Sequence, residues 1–169
     1  MKENVSVKGL KIIAVITRGD GRKEIYETSN IVTSAGEDYY AQMAAGETPT
    51  NDFTAGGMLL GTGTDEPTQE DTSVTTVISG SGKSLRSGYP KSNDNDSDNT
   101  GADSNVCTWS YYYAPGDVVE EAIAEGAIVN STSSPAAALS HFLFSAAFDL
   151  TDSDSLKVFV NHEFSGATT

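Results

Sequence analysis

The side chains that could do chemistry in this chain are few and far apart. The sequence has two histidines, His141 and His162, and one cysteine, Cys107. It has no Gly-x-Ser-x-Gly elbow that would present a serine nucleophile to a histidine. Neither histidine has a second ligand at the spacing typical of a metal site. His162 alternates with apolar residues, so we expect a hydrogen-bonded histidine in the core.

Cys107 and the acidic residues do not indicate an active site either. A reactive cysteine needs a neighbour that stabilises its thiolate, whereas Cys107 lies in a strand-like context that favours a small buried side chain. Glu120, Glu121 and Glu125 could supply the carboxylate pair of a glycosidase. Acidic residues are so frequent, with 24 Asp and Glu in 169 residues, that this spacing carries little information. We predict a protein that is not an enzyme, with no catalytic residues and no cofactor.

A glycine-rich segment and an acidic tract each resemble part of a ligand site. Gly80-Ser81-Gly82-Lys83-Ser84 is similar to the end of a phosphate loop, but the glycine required five residues before Gly82 is Val77. We therefore expect a flexible turn there rather than a nucleotide site.

The tract around Asp94, Asp96 and Asp98 alternates oxygen ligands, as calcium loops do. An EF-hand loop that begins at Asp94 needs Gly at 99 and Glu at 105, where this chain has Asn99 and Asn105. We predict a solvated loop tip and no metal site. A surface calcium site formed by Asp94, Asp96 and Asp98 is the alternative.

The charge balance excludes several kinds of partner. Ten Lys and Arg face 24 Asp and Glu, giving a formal net charge of −14 at pH 7. Direct binding of nucleic acid needs a basic surface, so we expect no nucleic-acid partner. The longest apolar stretch, about residues 135–148, is interrupted by polar residues and is too short to span a bilayer. No secretory signal follows Met1, so we expect synthesis in a cytoplasm and no membrane partner.

Apolar periodicity predicts mostly strands. They are expected at residues 4–17, 22–32, 58–60, 74–78, 106–113, 139–149 and 155–164. Residues 118–129 could be helical by propensity, and the resemblance described below implies a strand at 122–129 instead. Gly9 interrupts the alternation of the first strand and predicts a bulge. One helix is expected at about 34–45, with Ser34 as N-cap and Glu37 completing a capping box.

These elements predict one all-β domain over residues 1–169. The expected fold is a two-sheet antiparallel sandwich, with a jelly roll as one candidate topology. It carries one short helix near 34–45. A polar loop insertion spans about 79–105, of which about 88–105 is the long acidic loop.

Four segments in order resemble a group of small structural proteins of tailed bacteriophages. They are Asn30-Ile31-Val32-Thr33-Ser34-Ala35-Gly36, then Leu60-Gly61-Thr62-Gly63-Thr64-Asp65-Glu66-Pro67 followed by Glu70-Asp71-Thr72, then Ile123-Ala124-Glu125-Gly126-Ala127-Ile128-Val129, and last the strands 142–148 and 156–164. The resemblance covers about residues 30–164. It implies a non-enzymatic virion protein that is made in the host cytoplasm and contacts other virion proteins.

Within that group, a capsid decoration (cement) protein is the expected function. Its partners would be the major capsid protein or other virion proteins, with homo-oligomeric contacts in the particle. The chain shows no coiled-coil heptads and no repeats of the kind that build a fibre shaft. A tail, collar or fibre-adaptor component is the first alternative, and a carbohydrate-binding surface module is the second.

An aromatic strand supplies the candidate interface. Trp109, Tyr111 and Tyr113 share one face by strand periodicity, and Tyr112 lies on the other. One interpretation buries Trp109 and Tyr111 and leaves Tyr112 as a lone surface residue. The other makes Tyr112 an anchor against a neighbouring virion protein, together with Tyr113 near the strand end.

Overall fold

The structure, a computed structural model, describes residues 5–166 and confirms the two-sheet antiparallel sandwich. The elements in chain order are β1 Val5–Thr17, β2 Lys23–Thr28, β3 Ile31–Val32, α1 Ser34–Ala44, β4 Gly57–Gly61, β5 Val106–Tyr113, β6 Glu120–Val129, β7 Ala138–Leu150 and β8 Ser155–Gly166. The first sheet has the strand order β2-β1-β8-β5, and the second has β3-β7-β6-β4. Two hairpins, β1–β2 and β6–β7, each lie within one sheet.

The long pair of β1 and β8 forms the centre of the first sheet. Its register shifts between Gly9 and Lys11, which confirms the predicted bulge. A side chain at position 9 would lie 2.0 Å from the carbonyl oxygen of Asn30, so only glycine fits this close approach. The bulge thus lets the end of the first sheet pass beside the segment that leads into α1.

The helix begins where the sequence predicted it, although Ser34 is not its N-cap. The hydroxyl of Thr33, one residue earlier, accepts a hydrogen bond from the backbone N–H of Gly36 at 3.0 Å. Thr33 also donates to the carbonyl of Ala138, so the cap is tied to β7. This second contact explains why Thr33 rather than Ser34 is the N-cap, since a sequence pattern cannot show which hydroxyl has a tertiary partner.

Two predicted strands differ in the structure. The segment 22–32 divides into β2 and β3, which belong to different sheets. The segment 74–78 is coil that makes one isolated bridge, between Gly61 and Val77. Its backbone N–H groups at Thr75 and Thr76 instead donate to the Glu125 carboxylate, which removes them from a ladder.

The core lies between the inner faces of the two sheets and is closed at one end by α1. Its largest fully buried side chains include three from β5, namely Trp109, Tyr111 and Tyr113. Tyr39 of α1 contacts Trp109 and Phe53 edge to face. Residues 62–105 contain no strand or helix, so the polar insertion is part of a longer coil between β4 and β5.

Candidate interaction surface

The two tyrosines of the candidate interface lie on opposite faces of β5. Tyr112 points away from the second sheet and is 41% exposed. Tyr113 is 1% exposed and donates to the carbonyl of Met58 at 3.4 Å. The prediction of Tyr113 as an interface anchor is therefore wrong, because strand alternation carries its ring into the core. Tyr112 remains a candidate.

An apolar groove runs between α1 and the start of β5. Its volume is about 340 Å³, and its lining includes Tyr39, Met43, Pro90, Cys107 and Phe164. Met43 and Phe164 are 50% and 36% exposed, so apolar surface is open to a partner at this end of the sandwich. The lining offers few polar atoms and suits an apolar side chain better than a polar ligand.

The acidic loop is not the solvated tip that the sequence predicted. Asp94 is 8% exposed, and its carboxylate accepts hydrogen bonds from Tyr89 at 2.9 Å and Asn99 at 2.9 Å and pairs with Lys91 at 3.0 Å. Burial by itself raises the pKa of Asp94, but the bonds from Asn99, Lys91 and Tyr89 outweigh it and lower the pKa. Asp94 is therefore an ionised, internal part of the loop.

The other two carboxylates of the calcium candidate also have cationic partners. Asp96 pairs with Arg86 at 3.3 Å and with Lys157 at 3.2 Å. Asp98 pairs with Lys23 at 2.8 Å and with Lys157 at 2.9 Å. The hydrogen bond from Lys23, and then that from Lys157, lower the pKa of Asp98. A calcium ion would have to displace these ammonium and guanidinium groups.

These pairs fasten the loop over the outer face of the first sheet, the face turned away from the second sheet. Asn99, 7% exposed, donates to Asn161 of β8 at 3.1 Å. Beside it on the same face, Ile13, Val15 and Phe159 form a separate buried cluster. The sheet therefore has apolar contacts on both faces, and the loop covers much of the outer one.

The one histidine cluster with an enzyme-like composition is an internal brace. His141 lies between two carboxylates, with Nε2 at 2.8 Å from Glu125 and Nδ1 at 2.6 Å from Asp71. The Glu125 carboxylate also accepts the backbone N–H groups of Gly63, Thr75 and Thr76. One buried side chain of β6 thus holds Gly63, just after β4, and the coil at Thr75 and Thr76 against the second sheet.

The charge state of the brace follows from its geometry. A neutral imidazole donates from one nitrogen, whereas His141 has a carboxylate oxygen at each, so the imidazolium satisfies both. Burial lowers the pKa of His141, but the hydrogen bonds that the ring donates to Glu125 and then to Asp71 outweigh it and raise the pKa. The imidazole is thereby fixed in place by two acceptors and is 1% exposed, so it is poorly placed to serve as a base for a bound ligand.

His162 is a hydrogen-bonded core histidine, as predicted. Its ring nitrogens lie 2.7 Å from the Tyr40 hydroxyl and 2.7 Å from the Asn30 amide. Tyr40 in turn accepts from the Trp109 indole at 2.8 Å. Burial lowers the pKa of His162 to about 3, so the ring is neutral and links α1 to both β5 and β8.

The remaining chemical candidates are dispersed. Burial raises the pKa of the Cys107 thiol, which opposes a thiolate. Ser81 of the glycine-rich segment is buried and bonds both backbone groups of Leu60. Glu120 and Glu121 are exposed at the start of β6, whereas Glu125 is fully buried in the brace.

Sequence reasoning missed Asp71, whose pairing with His141 spans 70 residues and leaves no local signal.

Most of the basic side chains are used within the chain. Of the nine Lys and Arg within residues 5–166, eight form ion pairs with Asp or Glu, namely Lys11, Arg18, Arg22, Lys23, Lys83, Arg86, Lys91 and Lys157. The excess acidic residues, such as Glu37, Asp38, Glu66, Glu120 and Glu121, lie exposed. The surface offered to a partner is therefore strongly acidic.

Comparisons of the chain with protein-family models, with curated proteins and with solved structures find no match. Across residues 5–166, no helix has the length and apolar character needed to cross a membrane. In the same part of the chain, no three His, Cys, Asp or Glu side chains converge so as to hold a metal ion.

Proposed function

We propose that this chain is a non-enzymatic structural protein of a tailed-phage virion, and specifically a capsid decoration protein that binds the outer surface of the major capsid shell. The order of sequence motifs that resembles such proteins supports the class. Its partners are the major capsid protein and neighbouring copies in the particle. The protein is made in the host cytoplasm and is located in the virion.

The observation that carries the proposal is the exposed Tyr112 on the outer face of the first sheet. Its neighbour across the sheet is Lys157, which is held by Asp96 and Asp98 of the acidic loop. A tyrosine on a strand so braced brings area and a polar tip at low cost in conformational entropy, as interface anchors do.

The charge distribution adds a requirement on the partner. The chain presents excess carboxylates, so a complementary shell surface is neutral or basic where it meets them. The ion-paired loop holds the outer face of the first sheet around Tyr112 in one arrangement, which suits a protein that binds a preformed lattice.

The alternatives differ in what supports them. For a carbohydrate-binding module, the candidate stacking residues are the four aromatic residues of β5, yet Trp109, Tyr111 and Tyr113 are each at most 1% exposed. That alternative retains Tyr112 alone on this strand. A tail, collar or fibre-adaptor role uses the same kind of protein contact and differs in copy number.

Binding to particles that lack the protein tests the proposal. Tyr112→Ala should fold normally and weaken attachment by about 1–2 kcal/mol, roughly ten-fold in affinity. Val119→Ala is the matched control, since Val119 is 60% exposed elsewhere on the surface. Equal occupancy of the two variants contradicts the role of Tyr112. Failure of the wild-type chain to bind mature particles contradicts the decoration function, and hundreds of copies per particle distinguish shell from tail.

A further inference from the structure

The free edge of the first sheet at β2 has the features of a self-complementary contact. β2 lies at the end of the strand order and pairs with β1. Within residues 5–166, no backbone group outside β1 hydrogen-bonds to Lys23, Ile25 or Glu27. An open strand edge is a template for another strand.

The hairpin sets which backbone groups face that edge. The N–H of Arg18 donates to the carbonyl of Arg22 at 2.9 Å, and Gly21 donates back to Arg18 at 2.8 Å. Hydrogen-bonded and non-bonded pairs alternate along an antiparallel ladder, so every second residue of β2 bonds to β1. The N–H and C=O groups that point outward belong to Lys23, Ile25 and Glu27.

The side chains of these three residues form a pattern that complements itself. Ile25 is 59% exposed, and it is flanked two positions away by a cation, Lys23, and an anion, Glu27. All three lie on the outer face. Within the chain, Lys23 pairs with Asp98 and Glu27 pairs with Lys11. Because the side chains of Lys23 and Glu27 remain 52% and 47% exposed, each can also contact a residue of another chain.

We propose that β2 pairs antiparallel with β2 of a second copy of this chain, about a twofold axis at Ile25, so that two four-stranded sheets become one continuous sheet. Ile25 then lies opposite its counterpart, and each Lys23 lies opposite Glu27 of the other copy. The outward groups of the three residues form about six backbone hydrogen bonds.

Other registers are less favourable. A shift by two residues in one direction places Glu24 opposite Glu24, and a shift in the other places Ile25 opposite Glu27. A shift by one residue would bring inward-bonded groups to the edge and reverse the faces. The charge pattern therefore favours the register of the β2–β2 pair in which Ile25 lies opposite Ile25.

The contact is small and both copies are strongly acidic, so the free pair is weak. Interfaces below about 1,000 Å² are typically transient. On a surface that holds copies side by side, the effective concentration rises and the same contact becomes populated. The pairing extends beyond the proposed particle role and does not depend on it, because free chains suffice to detect it.

Cysteine cross-linking of the full chain tests both partner and register. Ile25→Cys should give a covalent dimer under mild oxidation, because its counterpart Cα lies at about 5.5 Å, within disulfide reach. Val119→Cys is the matched control, since Val119 is 60% exposed and apolar. Lys23→Cys alone should not cross-link, whereas the double variant Lys23→Cys/Glu27→Cys should. The wild-type chain, oxidised in parallel, shows how much cross-linking Cys107 gives by itself.

Charge exchange supplies a test without cross-links. Sedimentation equilibrium up to about 1 mM chain should show a monomer–dimer equilibrium. Lys23→Glu or Glu27→Lys should weaken it about ten-fold, and the double exchange should restore it. The proposal is overturned if the wild-type chain stays monomeric at about 1 mM, if Ile25→Cys cross-links no better than Val119→Cys, or if Lys23→Cys cross-links equally well.

Discussion

The Glu125 carboxylate lies 2.8 Å from Nε2 of His141, and neither side chain is more than 1% exposed. The same carboxylate accepts three backbone N–H groups from the coil that follows β4. A single buried acid therefore replaces the ladder hydrogen bonds that this coil lacks. It ties Gly63 to Thr75 and Thr76 where the coil has no regular secondary structure.

Glu125→Ala should destabilise the protein strongly. It leaves His141 charged and buried beside one remaining carboxylate, and it orphans the N–H groups of Gly63, Thr75 and Thr76. Removing one partner of a buried ionic group costs about 3–5 kcal/mol, measurable by denaturant unfolding. The amides of the three coil residues should also exchange faster with solvent. Glu121→Ala, at an exposed site, should change the free energy by less than about 0.5 kcal/mol; equal effects of the two variants would rule out the brace.

Stability should fall at alkaline pH because of His141. Its folded pKa is raised, so its contribution is complete below the unfolded pKa of about 6.5 and is lost as the pH rises through the folded pKa. The pKa values of Glu125 and Asp71 are lowered, so their contributions are lost as the pH falls through those values. The difference in unfolding free energy between wild type and His141→Gln should therefore shrink as the pH rises above about 6.5. A constant difference would contradict a charged His141.

His162 should destabilise the fold in acid. Its folded pKa of about 3 lies below the unfolded value, so the unfolded chain takes up a proton that the folded chain refuses. The loss begins below about pH 6.5 and grows by up to about 1.4 kcal/mol per pH unit. In NMR titrations, the His162 ring signals should stay constant from about pH 8 to about pH 5. A midpoint near 6.5 for His162 would show that the ring is accessible to water.

Asp94 should matter for folding, whereas the exposed Asp103 should not. Asp94→Ala removes an acceptor for Tyr89, Lys91 and Asn99, and losing hydrogen bonds to a buried charge costs about 1–3 kcal/mol. Asp103→Ala is the control. Calcium should leave the wild-type melting temperature unchanged relative to chelator, because cationic side chains already bind the carboxylates. A rise of several degrees in calcium would favour the metal alternative.

Trp109 should behave as a core residue that also carries a hydrogen bond. Trp109→Ala should cost about 3–5 kcal/mol of unfolding free energy as a large truncation. Trp109→Phe keeps most of the volume but loses the bond to Tyr40, and should cost less. Tyr112→Ala on the same strand should stay within about 0.5 kcal/mol. A similar loss for Tyr112→Ala would place that ring in a fold-stabilising contact rather than at a free surface.

The main elements could be predicted because their signals are local. Alternation places Trp109, Tyr111 and Tyr113 on one face of β5, and the same rule identifies His162 as a core residue of β8. Gly9 marks its bulge for a comparable reason, since only a residue without Cβ fits there. These patterns depend on the two-residue period of a strand, which the sequence displays directly.

Long-range polar pairing was decided by the tertiary structure alone. The sequence by itself determined an acidic all-β sandwich, the helix near 34–45 and the inward aromatic face of β5. It could not show that Asp71 meets His141, that Lys157 collects Asp96 and Asp98, or that Thr33 rather than Ser34 caps the helix. Hydrophobic burial follows from periodicity, whereas an ion pair or hydrogen bond depends on which distant strands and loops lie within about 3 Å of each other. That proximity arises only when both sheets and the covering loop have assembled.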